Sequence, residues 1–166
     1  SALARLSRYA SPAAFRAAES SLRDRSGLVR LGALQILDAA PAPERLALVA
    51  PLLGDSMRAV RQGAAWELAP LADSLAPPDR RAFDRAAAEF VASQRYNADQ
   101  PANLLTLGTF YTQRGRDDSA TAEFRAALRL APDYAQSYPG LAARWRAQGQ
   151  ARAADALLRA LRPPAR

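Results

Sequence analysis

Two stretches of this chain carry the same kinds of residue 34 positions apart. Leu104, Leu107, Gly108, Tyr111, Gly115, Ala120, Phe124 and Ala127 are answered by Tyr138, Leu141, Ala142, Trp145, Gly149, Ala154, Leu158 and Leu161. Apolar residues three and four apart place one face of each stretch against a neighbour. A small residue, Gly108 or Ala142, lets a second helix come close, and Gly115 and Gly149 suit a tight turn. A fixed period of this length means stacked helix–turn–helix units that share one continuous core. Such a unit is a packing module with no chemistry of its own.

Composition points the same way. With 166 residues the chain can build one well-filled core or a short repeat array. Hydrophobic residues make up 49%, much of it alanine, which favours helix and close helix–helix packing. Aromatics are only 7%, and valine and isoleucine are scarce, so strands have little support. The expectation is an all-α fold, an α-solenoid of helix–turn–helix repeats with no β-sheet.

The first half repeats on a different period. Asp24, Val29, Arg30, Gly32, Ala33 and Leu37 return 31 positions later as Asp55, Val60, Arg61, Gly63, Ala64 and Leu68. Prolines at 41 and 43 mark a linker between the copies. A first helix is expected to open at Ser11 as N-cap, with Pro12 in its first turn and Phe15, Ala18 and Leu22 on one face. Further helices are expected over Leu28–Ala39, Pro43–Leu53 (kinked at Pro51), Ser56–Ala69 and Asp79–Tyr96. Pro77-Pro78 reads as a rigid break. Asp117 or Asp118 would cap the helix after Gly115, and Pro139 requires the next helix to start late, near Ser137. The expected division is residues 1–75, a linking helix over 76–100, and 101–166.

These motifs resemble known families. The segments DRSGLVRLGALQIL and DSMRAVRQGAAWEL resemble the second-helix signature of HEAT repeats. That resemblance implies that Arg30 and Arg61 are ladder arginines, each reaching the turn carboxylate of a neighbouring repeat, although an anion site is a second reading. The stretch from Pro101 to Ala131, with its copy from Ala135, resembles the tetratricopeptide repeat. The order of the two modules, with the phrase EFVASQRYNADQPANLLTLGTFYTQRG, is similar to the C-terminal region of exported multihaem cytochrome c proteins. It implies a redox partner and a periplasmic or other extracytoplasmic location; without it the cytoplasm is the expectation. Haem attachment needs Cys-x-x-Cys-His, which the chain lacks, so no cofactor-binding residue carries over. The chain opens on Ser1 rather than Met, which leaves open a processed product or a piece of a longer protein.

The residue inventory bears on chemistry. All 23 basic residues are arginine, and lysine, histidine and cysteine are absent. The usual bases and nucleophiles are therefore missing, and no phosphate loop, dinucleotide fingerprint or metal-ligand spacing occurs. No catalytic or metal site is expected, and no transmembrane run is present.

Binding remains. The tetratricopeptide resemblance implies a partner groove lined by Leu105, Thr109, Thr112, Gln113, Ala143 and Arg146. The family's clamp for chaperone carboxylates needs lysine and asparagine where this chain has Leu105 and Thr109, which disfavours that ligand; that these residues simply face water is the other reading. Net charge is +7, concentrated after Tyr134, where six arginines meet one acid, Asp155. A second candidate is a docking face at the chain's end, formed by Arg152, Leu157, Arg159, Leu161 and Arg162, unless the apolar strip wraps onto the preceding helix. Tyr138 and Trp145 beside Arg144 and Arg146 suit core packing better than a nucleic-acid platform. The leading expectation is a non-enzymatic scaffold for a protein partner; the alternative is an anion-binding module, for nucleic acid or an acidic membrane surface, using the C-terminal arginines. The far-UV circular dichroism spectrum should be that of a helical protein, and β-sheet beyond a trace would overturn the fold expectation.

Overall fold

The computed structural model describes residues 12–37, 40–132, 138–147 and 149–161, with side chains for all of these except 12–15 and 144. The expectations placed on Ser11, Phe15, Ser137, Arg144 and Arg162 lie outside the described residues or side chains. Nine α-helices and no strand occur among the described residues. They are α1 (Pro12–Ser21), α2 (Gly27–Leu34), α3 (Ala42–Val49), α4 (Arg58–Leu68), α5 (Pro77–Tyr96), α6 (Pro101–Gln113), α7 (Asp117–Leu130), α8 (Tyr138–Ala147) and α9 (Ala151–Ala160). The chain forms two compact units, one ending at Phe90 and one starting at Val91, so the division falls inside α5.

In the first unit several helices are shorter than the periodicity suggests, and proline explains most of it. After α2 ends at Leu34, the chain passes through a turn towards Pro41. Pro51 does not simply kink a helix. It sits in the first turn of a 3₁₀ segment, Ala50–Gly54, that takes over where α3 stops. Pro70 does the same after α4, within Ala69–Ser74. Pro77 and Pro78 are not a break before α5; they form its first turn, where missing N–H groups cost nothing. The core gathers Leu34, Leu37, Val49, Val60, Leu68 and Phe83, all fully buried. Trp66 leans on Phe90, with ring centroids 5.6 Å apart.

The second unit is built on two hairpins, α6–α7 and α8–α9, with α9 also packed on α7 and α6. Both turns close identically. The N–H groups of Gly115 and Arg116 bond the carbonyls of Thr112 and Tyr111; those of Gly149 and Gln150 bond Arg146 and Trp145. This pair of bonds needs a left-handed residue just past the helix. Gly115 has φ +68° and Gly149 φ +79°, a region that L side chains rarely adopt. The following helix start corrects one expectation. Asp117 and Asp118 occupy the first turn of α7, but Arg116 is its N-cap and no side chain caps it. Their contribution is charge near the positive end of the helix. Pro139 stands at the beginning of the described part of α8, Tyr138–Ala147.

Buried alanines set how closely these helices approach. Ala120, Ala142, Ala154, Ala156 and Ala160 form one core with Phe124, Tyr138 and Leu157. Trp145 packs its ring 5.7 Å from that of Phe124. Gly108 is the tightest point, since a methyl group there would overlap the Phe124 ring. Gly108→Ala should therefore destabilise the second unit by about 1–3 kcal/mol, measured by chemical denaturation. Phe124→Leu in the same chain should recover part of that loss, making the double variant more stable than the sum of the single effects.

Candidate functional site

The most organised polar feature is an arginine ladder that crosses the first unit. Arg30, on α2, donates from Nε and Nη2 to the two carboxylate oxygens of Asp55, both at 2.7 Å. Its remaining nitrogen, Nη1, donates to the carbonyls of Asp24 and Arg25 at 2.7 and 3.2 Å. One guanidinium thus ties its own turn to the next. Arg61, 31 positions on, does the same: Nη1 donates to the carbonyls of Asp55 and Ser56, while Nε and Nη2 reach the carboxylate of Glu89 at 3.1 and 3.0 Å. The planar fork of arginine makes this double duty possible, and lysine lacks it.

The aspartates have a task beside the ion pair. Asp24 accepts the N–H of Ser26 at 2.7 Å, and Asp55 accepts that of Met57 at 2.8 Å. Each carboxylate closes a turn two residues ahead. In the second copy the helix starts later than expected, at Arg58 rather than Ser56, whereas α2 begins at Gly27. The Arg30–Asp55 pair is largely withdrawn from water, with side chains 13% and 7% exposed. The Arg30 hydrogen bonds hold the Asp55 carboxyl below the ordinary carboxylate range against the opposing effect of burial, and the Met57 N–H adds to them.

The ladder changes acceptor at its second rung. The position 31 after Asp55 is Ala86, buried in the core, so Arg61 takes Glu89 from within α5. The carbonyl of Glu89 also accepts Gln62 Nε2 at 3.0 Å. Glu89 escaped the reading of the sequence; the missing aspartate at 86, with an acid three residues on, was the available signal.

The expected groove residues do not form one open surface. Thr109 and Thr112 are buried, and their hydroxyls donate to the carbonyls of Leu105 and Gly108, one turn back in α6. Leu105 is half-buried against the core of the second unit. Gln113 is half-buried, and Ala143 is exposed. Arg146 is exposed but paired with Asp155 at 2.5 Å. Glu123 pairs with Arg95 at 2.8 Å; Tyr111 and Glu123 together raise the basicity of that guanidinium.

The expected docking face at the chain's end is also corrected. Leu157 is fully buried and Leu161 half-buried, because α9 turns its apolar face onto α8 and α7. Of the described residues in that set, Arg152 and Arg159 are exposed. Tyr138 is buried, and desolvation raises its hydroxyl pKa.

Two further features bear on chemistry. A cleft of about 400 Å³ between α3 and the start of α5 is lined by Pro43, Leu46, Ala50, Pro51, Leu75 and Asp79, among others. Asp79 is its one carboxylate, so it offers no acid–base pair. Among the described residues no three acidic side chains gather as a metal site, and no helix is long and apolar enough to cross a membrane. Comparison of the chain with protein-family models, curated proteins and solved structures gave no match.

Removing the Asp55 carboxylate leaves three donors without an acceptor. Asp55→Ala should lower the melting temperature by roughly 4–8 °C. Because the folded pKa lies below the unfolded one, the stabilisation is complete above the unfolded aspartate value of about 3.9 and fades as pH falls through the folded value. Asp55→Asn should accordingly flatten the acid limb of a stability–pH curve, and an unchanged limb would refute the pairing.

Proposed function

We propose that this chain is a non-enzymatic helical-repeat scaffold, HEAT-like repeats followed by tetratricopeptide repeats, that docks a protein partner or helps to assemble a larger complex. The observation that carries this reading is the use of its polar groups. The donors of Arg30 and Arg61 and the hydroxyls of Thr109 and Thr112 are spent on neighbouring backbone and carboxylates. The arginines hold helices in register, and the threonine hydroxyls are satisfied within α6 itself. What such an array offers to other molecules is extended surface.

A second reading has its own support. Arg125 and Arg129 lie one turn apart on α7, and Arg152 and Arg159 lie two turns apart on α9. All four are exposed and join no ion pair among the described residues. Such a surface would attract polyanions. Tyr138 and Trp145 are packed in the core, so they do not add the base stacking that single-stranded nucleic acid uses.

Salt separates the two readings. A protein partner recovered with the purified chain should keep its affinity within a few-fold between about 50 and 200 mM salt. An anion-binding module working through many phosphate contacts would lose roughly a thousandfold or more over that range. Strong binding of duplex or anionic vesicles with that steep slope, or turnover of a substrate by the chain alone, would overturn the scaffold reading.

A further inference from the structure

The chain holds a single sulfur atom. It has no cysteine and one methionine, Met57, which is the N-cap of α4. The matching residue 31 positions earlier is Ser26, the N-cap of α2. The two backbones are bonded alike. Each N–H is held by the aspartate two residues back, and each carbonyl accepts the N–H groups three and four residues ahead. The side chains differ: the first copy carries a short hydroxyl, and the second a thioether that reaches across to the start of α2.

Gly27, the first residue of α2, receives that thioether. A methyl group on Gly27 would overlap the Met57 sulfur and crowd its Cβ and Cγ, so the sulfur fills the space that a side chain at 27 would take. Met57 is half-buried, which leaves an edge open to a small oxidant. The same residue joins the first rung of the ladder through its backbone. Asp55 Oδ1 accepts both the Met57 N–H at 2.8 Å and Arg30 Nη2 at 2.7 Å. The sulfur contact and the ion pair therefore fasten the same two helices, and they meet at one carboxylate.

We propose that Met57 is an oxidant-sensitive latch: a peroxide converts its thioether to the sulfoxide, which releases Gly27 and loosens α2 from α4. The step is a two-electron oxygen transfer. A sulfur lone pair attacks one oxygen of hydrogen peroxide, a sulfur–oxygen bond forms and the O–O bond breaks. The proton of the transferred oxygen passes to the departing one, which leaves as water. The sulfoxide is polar and chiral where the thioether was apolar and pliant. Gly27 fills the space on one side of the sulfur, so the new oxygen has to turn towards water and the side chain turns with it. No thiol in the chain competes for the oxidant. The latch acts within the first unit, whatever partner the scaffold carries.

The test treats the full folded chain, carrying Trp145→Phe so that Trp66 reports the first unit, with hydrogen peroxide. Mass spectrometry with peptide mapping should find one added oxygen, on residue 57. The melting temperature read from Trp66 emission should fall by roughly 4–8 °C, and methionine sulfoxide reductases acting on both epimers should restore it. Met57→Leu keeps the apolar bulk and should make the melting temperature indifferent to peroxide. Asp55→Asn should lower the melting temperature less in the oxidised chain than in the reduced one, because both fastenings act on one interface. Four results would each overturn the proposal: a folded chain that takes up no oxygen at Met57 while the unfolded chain does, an oxidised chain that melts with the reduced one, a Met57→Leu chain as sensitive as its parent, or a cost of Asp55→Asn that oxidation leaves unchanged. Turnover or steep salt dependence, which overturn the scaffold reading, leave these measurements untouched.

Discussion

A guanidinium that bonds backwards to its own turn and forwards to the next carboxylate is what gives the first unit its order. Arg30 and Arg61 each fix the entry of their own helix through carbonyl oxygens and the spacing to the following element through a carboxylate. Helix burial alone is less selective, because alanine-rich faces slide on one another with little change in area. A bidentate pair largely withdrawn from water has one good geometry and a heavy penalty for missing it. Arg30–Asp55 is such a pair and sets the register of α2 on α4, while the more exposed Arg61–Glu89 pair continues the link from α4 to the middle of α5.

The second unit solves the same problem mainly by close packing. Close approach at Gly108 and two left-handed glycine turns fix the hairpins, and in the ion pairs Arg95–Glu123 and Arg146–Asp155 the guanidinium side lies exposed. Threonines in α6 turn their hydroxyls back onto their own helix, so that polar residues sit inside without strangers to satisfy them. Geometry replaces charge as the source of specificity.

Much of this was legible in residue spacing. The helical class and the two glycine turns follow from local rules that tertiary packing had no reason to override, whereas the pairing of Arg30 with Asp55 was expected only from the resemblance of its segment. What escaped was decided by partners distant in sequence. Thr109, Thr112 and Leu157 fall on faces that periodicity alone leaves ambiguous, and all three are buried in the structure, where α9 packs on α7 and α6. Helix ends were misjudged at two prolines, Pro51 read as a kink and Pro77 as part of a break, whereas each stands in the first turn of a new helical segment. Glu89 was missed because its role depends on a helix filling the place where the pattern called for a turn.

The two tryptophans of the chain have fallen one to each unit. Trp66 stands against Phe90 in the first and Trp145 against Phe124 in the second. Each indole reports the environment of its own unit, so intrinsic emission from single-tryptophan variants distinguishes a chain that melts as one body from one whose halves part company. The aromatic contacts that complete the two cores are also a built-in pair of probes for the cooperativity between them.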